Sequence, residues 1–313
     1  MKSGTNMRDS NIKNRNDEDG ENRVVVIDPA ADKLRIFGDE SFDEKAHRVV
    51  AVAGLIGTQK EWDALIAKWI GRTGGKEFHA IECETEFSRD PDKEKHRANL
   101  VLYRDLTQLI VESGLRAFGI AQDLASAKEI FPGMDAEVGY YKCFTDYLNE
   151  CGDTGLKERR QIEEFILHNR RGEQYNVGVI YQFYMHRPQW KKNNLFACQR
   201  LSFDTARNPR IQAADLVARE SMKLVDNLYG PVRRPKRESL KALAMANNRI
   251  QFQVYTREYF LSLREKMVKL EKRSDLQWGT LERWLAENKL GNNWSNRFHF
   301  LIWLEGQKNR RPI

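Results

Sequence analysis

Cysteine is scarce in this chain. Its four cysteines, Cys83, Cys143, Cys151 and Cys198, stand far apart with no Cys-x-x-Cys pair, which speaks against a zinc knuckle and against a disulfide framework. Reduced thiols in a cytoplasmic setting are the expectation. Long apolar runs are missing too, and none approaches the ~20 residues that span a bilayer. The opening stretch "MKSGTNMRDSNIKNRNDEDGENR" has no apolar centre, so it does not read as a secretory signal. Residues 1–22 have almost nothing to bury and are expected to form a disordered polar tail. An acidic surplus is also lacking. Lys and Arg number 52 against 45 Asp and Glu, a formal charge of +7 that inclines the protein towards polyanions. Two catalytic signatures fail. "IGRTGGKEF" has Ile70 where a phosphate-binding loop needs its first glycine, and Glu77 where Ser or Thr would hold magnesium. No Gly-x-Ser-x-Gly elbow exists, so nucleophilic-serine hydrolysis is not expected.

What is present suffices for a sizeable core: 313 residues, 41% of them hydrophobic, allow one large domain or a domain with an appendage. "RVVVID", "KLRIFGDES" and "HRVVAVAGLIG" read as strands. "QKEWDALIAKWIG" places Trp62, Leu65, Ile66 and Trp69 at helical spacing, with Gly71 to end the helix. "RANLVLYRDLTQLIVESG" is a longer amphipathic helix, "LRAFGIAQD" a strand and "AEVGYYKCFTDYLNECG" a helix. "QIEEFILHNR" and "YNVGVIYQFY" are both strands, or a strand and a helix. "IQAADLVARESMKLVDNLYG" is a helix. Antiparallel strands followed by alternating helices and strands predict an α/β fold with a mixed sheet over residues 23–230. Residues 231–313, a basic loop followed by highly charged helices, read as a helical C-terminal extension.

Two acidic signals stand out. "IFGDES" ends an apolar strand on Asp39 and Glu40, and a sheet holds such carboxylates rigidly enough to bind a divalent cation. A turn or cap role for the same residues competes with that reading. In "NPRIQAADLVARE", Gln212 and Asp215 are three apart on one helix face, flanked by Ile211, Ala214, Leu216 and Val217. A buried acid there needs a metal, a cation or a hydrogen-bond donor.

In order and spacing, "IFGDES", "VVAVAGLIG", the Trp-bearing helix, "EFHAIE" and "LSFDTARNPRIQAAD" resemble the domain-of-unknown-function family 3800 between Leu34 and Met222. The resemblance implies a ribonuclease H-like fold acting on nucleic acid with Mg2+ or Mn2+, in which acids from the first strand, a middle segment and the last helix converge. On this reading Asp39 bridges two metal ions, Asp215 ligates one and Glu40 assists. Glu82 in "KEFHAIECETEF" is the expected third ligand. His79, three residues before it, is expected to carry a proton or contact phosphate. The pattern is broken at "EFILHNRR", where many members carry an acid and this chain has His168 and Asn169. Histidine shifts metal preference towards manganese, alters the proton path or marks a degraded site. Asp204 is a secondary candidate for the missing charge.

Nucleic-acid contacts are expected from Arg170 and Arg171, from Arg207, Arg210 and Gln212 at the start of the late helix, and from Arg233, Arg234, Lys236 and Arg237 in "RRPKR". The expected activity is metal-dependent hydrolysis of phosphodiesters in RNA or DNA. By kinship it implies a role in phage defence or toxin-like cleavage, with a defence-system protein or a second copy as partner and no membrane. Two other readings stay open at this stage. One is a catalytically inactive module that binds nucleic acid or protein; the other is an interaction protein that uses the C-terminal helices.

Overall fold

The computed structural model describes residues 32–43, 48–89, 93–131, 134, 136–169, 177–178, 181, 200–246 and 249–271. The polar tail, "RVVVID", nearly all of "YNVGVIYQFY" and the last stretch "LQWGTLERWLAENKL" lie outside the described residues. Among those described, the apolar runs of the first half form β1 (Leu34–Phe42), β2 (Val49–Thr58) and β3 (Arg116–Asp123). β4 (Ile162–His168), β5 (Leu201–Asp204) and β6 (Ile250–Tyr255) complete one six-stranded sheet of order β5-β4-β1-β2-β3-β6. β1, β2 and β3 pair antiparallel, whereas β4 joins β1, β5 joins β4 and β6 joins β3 in parallel. β2 is buried along its whole length, which is why its run reads as unbroken apolar sequence rather than as an alternation.

Helices cover both faces. On one side lie α1 (Gln59–Thr73), α3 (Lys93–Glu112) and α6 (Pro209–Tyr229), with α2 (Ala80–Arg89) and α7 (Glu238–Ala244) beside them. On the other lie α4 (Leu124–Ile130), α5 (Ala136–Glu158) and α8 (Arg257–Glu271). The four predicted apolar positions of α1 are its buried face. Thr58 and Glu61 form a capping box at its start, each side chain satisfying an otherwise unpaired backbone N–H. The helix runs past Gly71 and ends at Gly74, whose φ of 63° suits a residue without a Cβ. No helix among the described residues is long and apolar enough to cross a membrane.

The end of the sheet does not coincide with the expected boundary at Gly230. β6 lies beyond it, on the edge next to β3. It is fastened there by a polar clasp. Tyr255 donates to Asp146 on α5 at 2.6 Å, and Lys142, ion-paired with the same carboxylate, lies 4.3 Å from the Tyr255 ring centroid. Its sequence, "IQFQVY", alternates apolar and polar residues as a strand should, a signal that the expectation of a helical extension passes over.

One row across the sheet positions everything that follows. Asp39 pairs with Ala53, Ala53 with Gly119 and Gly119 with Phe252. On the other side, Gly38 pairs with Leu167, which brings His168 beside Asp39, and His168 pairs with Asp204. The small residues in the row let α6 approach closely, and α6 meets them with small residues of its own, Ala213, Ala214, Ala218 and Ser221. A Cβ on Gly119 would run into the Ser221 hydroxyl, which donates to the Val217 carbonyl at 2.8 Å. Gly119→Ala is therefore expected to destabilise the protein by ~1–3 kcal/mol through overpacking. In the Ser221→Ala background the same change should cost less, a coupling read from urea midpoints in a double-mutant cycle.

Candidate metal centre

Asp39 leaves β1 in the middle of the sheet, 5% exposed, and its position is set by pairing on both sides. One carboxylate oxygen accepts the Glu40 backbone N–H at 2.8 Å and lies 3.1 Å from His168 Nδ1 at the end of β4. Single ligand atoms of Asp39, Glu40 and His168 all fall within 4.8 Å of one another, close enough to share a cation. The donor set is two carboxylate oxygens and one imidazole nitrogen, chemistry that suits manganese and its neighbours better than magnesium.

α6 supplies the next acid. Asp215 is 8% exposed, and its Oδ2 accepts the backbone N–H of Ala80, the first residue of α2, at 2.8 Å. His79 Nδ1 lies 3.3 Å from the same oxygen. A carboxylate from a distant helix thus serves an N–H that α2 cannot satisfy internally, at the end of the helix where negative charge is favoured. Burial nevertheless pushes the Asp215 carboxyl up to about 6, and the Asp39 charge adds to that push, while His79 and the Ala80 N–H oppose it. The two acids therefore sit within reach of each other's field.

His168 is also shifted upward, which for an imidazole favours the charged form. Its hydrogen bond to Asp39 raises it to about 9, with burial opposing and the charges of Asp39, Glu40 and Asp215 assisting. Without a bound cation, an imidazolium neutralises part of the acidic cluster.

The other expected site residues divide. Glu82 lies in the first turn of α2, exposed, outside the group formed by Asp39, Glu40 and His168. His79 immediately precedes α2, and its carbonyl accepts from Cys83 N at 2.9 Å. Asp204 is taken up in the turn that follows β5, where Asn208 caps α6. It accepts from the Thr205 N–H at 2.7 Å and from the Asn208 side chain at 2.7 Å. Gln212 is 3% exposed and committed internally, accepting from Trp69 Nε1 at 3.0 Å and donating to the Ala206 carbonyl at 2.8 Å, so it does not face a ligand. Arg210 pairs with Asp63 at 2.8 Å and lies over the Phe37 ring.

Arg237 turns inward rather than towards solvent. It ion-pairs with Glu84 and Glu220 over the ring of Tyr103, which itself donates to Glu220 at 2.8 Å; Arg219 meets Glu84 at 2.6 Å. Burial pushes Glu220 up to about 7 and Arg237 down to about 10. This buried lattice ties the basic loop to α2, α3 and α6, and no local signal in "RRPKR" distinguishes it from a solvated run. Arg207, Arg233 and Arg234 are exposed and Lys236 is half-buried, whereas Arg170 and Arg171 lie outside the described residues.

No protein-family model matches the chain, and a search of curated proteins finds no match either.

Two outcomes follow from this geometry. Gln212→Leu strands the Trp69 N–H and the Ala206 carbonyl in the interior and should cost ~1–3 kcal/mol, measured by urea unfolding. The second concerns pH. A histidine whose folded value is about 9 against an ordinary 6.5 contributes stability that is fully present below 6.5 and is lost as pH rises through 9. In chelator, the unfolding midpoint should fall across that window, and His168→Ala should flatten the decline.

Proposed function

We propose that the protein is a divalent-metal-dependent phosphodiester hydrolase acting on nucleic acid, built on a ribonuclease H-like platform. The carrying observation is the convergence of Asp39, Glu40 and His168, from neighbouring central strands, with Asp215 from α6 close enough to shift with the Asp39 charge. An acid on the first strand approached by an acid on a later helix is the arrangement that resemblance to the domain-of-unknown-function family 3800 implies. The mixed sheet and the +7 surplus agree with that reading.

The residues present suit a cation. Packing acids side by side in a buried place costs free energy, visible in the upward displacement of Asp215, and a divalent ion would relieve it. Asp39, Glu40 and His168 would hold the ion, with Asp215 as the adjoining carboxylate. When bound, such an ion activates water and stabilises charge on a phosphodiester. The chain supplies orientation. β1 and β4 fix Asp39 and His168 in register, and the α2 N-terminus fixes Asp215 through the Ala80 N–H. His79, at 34% side-chain exposure beside Asp215, is placed to carry a proton between the centre and water. Phosphate contacts fall to the exposed Arg207, Arg233 and Arg234, with Gln212, Arg210 and Arg237 occupied elsewhere.

A second reading has its own support. The acids already have internal partners, Asp39 in His168 and Asp215 in Ala80 and His79. A binding module that has lost catalysis would look the same. The two part on one experiment, in which purified protein is incubated with labelled RNA and DNA in Mn2+ and in Mg2+. Hydrolysis faster in Mn2+, reduced at least ~100-fold by Asp39→Asn and by Asp215→Asn, supports the enzyme. Calorimetric Mn2+ binding should be lost in Asp39→Asn, a readout independent of turnover. Salt-sensitive binding without cleavage in either metal would establish the module instead.

A further inference from the structure

Among the expected phosphate contacts, Arg210 and Arg237 are engaged internally, whereas Arg207, Arg233 and Arg234 are exposed. Arg35, Arg72, Arg210, Arg219 and Arg237 are each held by a carboxylate. Against that background, a recess of about 330 Å³ opens between the end of α1 and the start of α6, lined by Ile70, Thr73, Lys76, Arg207, Pro209 and Gln212 among others. Lys76 and Arg207 are both exposed, and neither makes an ion pair or side-chain hydrogen bond among the described residues. Glu77 also lines the recess, so its walls carry two cations against one anion.

Its place matters as much as its charge. Gln212, which forms part of the wall, lies one turn before Asp215 on α6, and Lys76 lies three residues before His79. The wall is rigid, since Gln212 is pinned by Trp69 and by the Ala206 carbonyl. The side formed by Gly75 is open, because a Cβ there would meet nothing within 4 Å. The lining is also partly apolar. Ile70, 45% exposed, and Pro209 supply that apolar part.

We propose that this recess is a subsite for one nucleotide of a single-stranded nucleic acid, with its phosphate on Lys76 and Arg207 and its sugar or base against Ile70 and Pro209. The volume is at the small end of ligand sites and suits one unit rather than a helix. A base reaches such a recess only when it is unstacked and unpaired, which selects single strands over duplex. The inference rests on the nucleic-acid reading of the adjoining centre and adds to it the strandedness of the substrate and a residue, Lys76, on a segment that composition had dismissed as a failed phosphate loop.

The test uses the full chain and a labelled oligonucleotide, single-stranded or annealed to its complement. Binding is followed by fluorescence anisotropy in EDTA over a salt series. The single strand should bind more tightly than the duplex. Lys76→Ala with Arg207→Ala should weaken it about tenfold and reduce the slope of log K against log salt by about 0.7, the value of one phosphate contact on a single strand. Ile70→Ser should weaken binding with the slope unchanged. In Mn2+ Lys76→Ala alone should raise KM for the oligonucleotide, leaving kcat and the hydrolysis of bis(p-nitrophenyl) phosphate as in the wild type. Equal single-strand binding by wild type and double variant overturns the subsite while leaving the hydrolase standing. The expected loss of binding in a protein that hydrolyses neither substrate upholds the subsite and overturns the hydrolase. Duplex bound as tightly as single strand, or no oligonucleotide bound at all, overturns the proposal.

Discussion

Asp39 and Asp215 are buried close enough to feel each other's charge, and the surrounding elements are arranged to bear that repulsion. Neither acid is stabilised by solvent. Asp39 is met by His168 and by the Glu40 N–H, Asp215 by the α2 N-terminus and His79. The price is an Asp215 carboxyl that holds its proton into the mildly acidic range.

The close approach of α6 to the sheet makes the encounter geometrically possible. Ala53 and Gly119 continue the row that begins at Asp39, and Ser221 sits over Gly119. α6 also carries charges in directions that do not interfere. Asp215 faces the centre, Arg219 and Glu220 enter the lattice with Glu84 and Arg237, and Asp226 meets Arg48 at 2.8 Å. One helix thereby connects the candidate centre, the basic loop and the segment just before β2. The polar contacts of this helix are specific in direction, whereas its small apolar residues decide only how near it lies.

Much of the architecture is legible as periodicity. β2 reads as a strand because its apolar run is rich in β-branched residues, and the apolar stripe of α1 appears at the expected four positions. The late helix reads equally well. Glu82 illustrates where such reading stops. Its spacing from His79 places it in the first turn of α2 but says nothing of where that turn lies relative to the end of β1. Gln212 and Arg237 fail for another reason. Their chemistry is that of ligand-binding residues, but partners distant in sequence, Trp69 for one and Glu84 and Glu220 for the other, had already claimed it.

By itself the chain of residues determined the order of strands and helices, the sides that would be buried, and the presence of acids that could not stand alone, because these follow from local pattern and from the cost of desolvating charge. Only the tertiary structure decided which acids share a place, that His168 rather than Glu82 joins Asp39 and Glu40, and which cations remain unengaged. Those outcomes depend on strand register and on the crossing of α6 over the sheet, and contacts between residues more than a hundred positions apart leave no trace in local spacing.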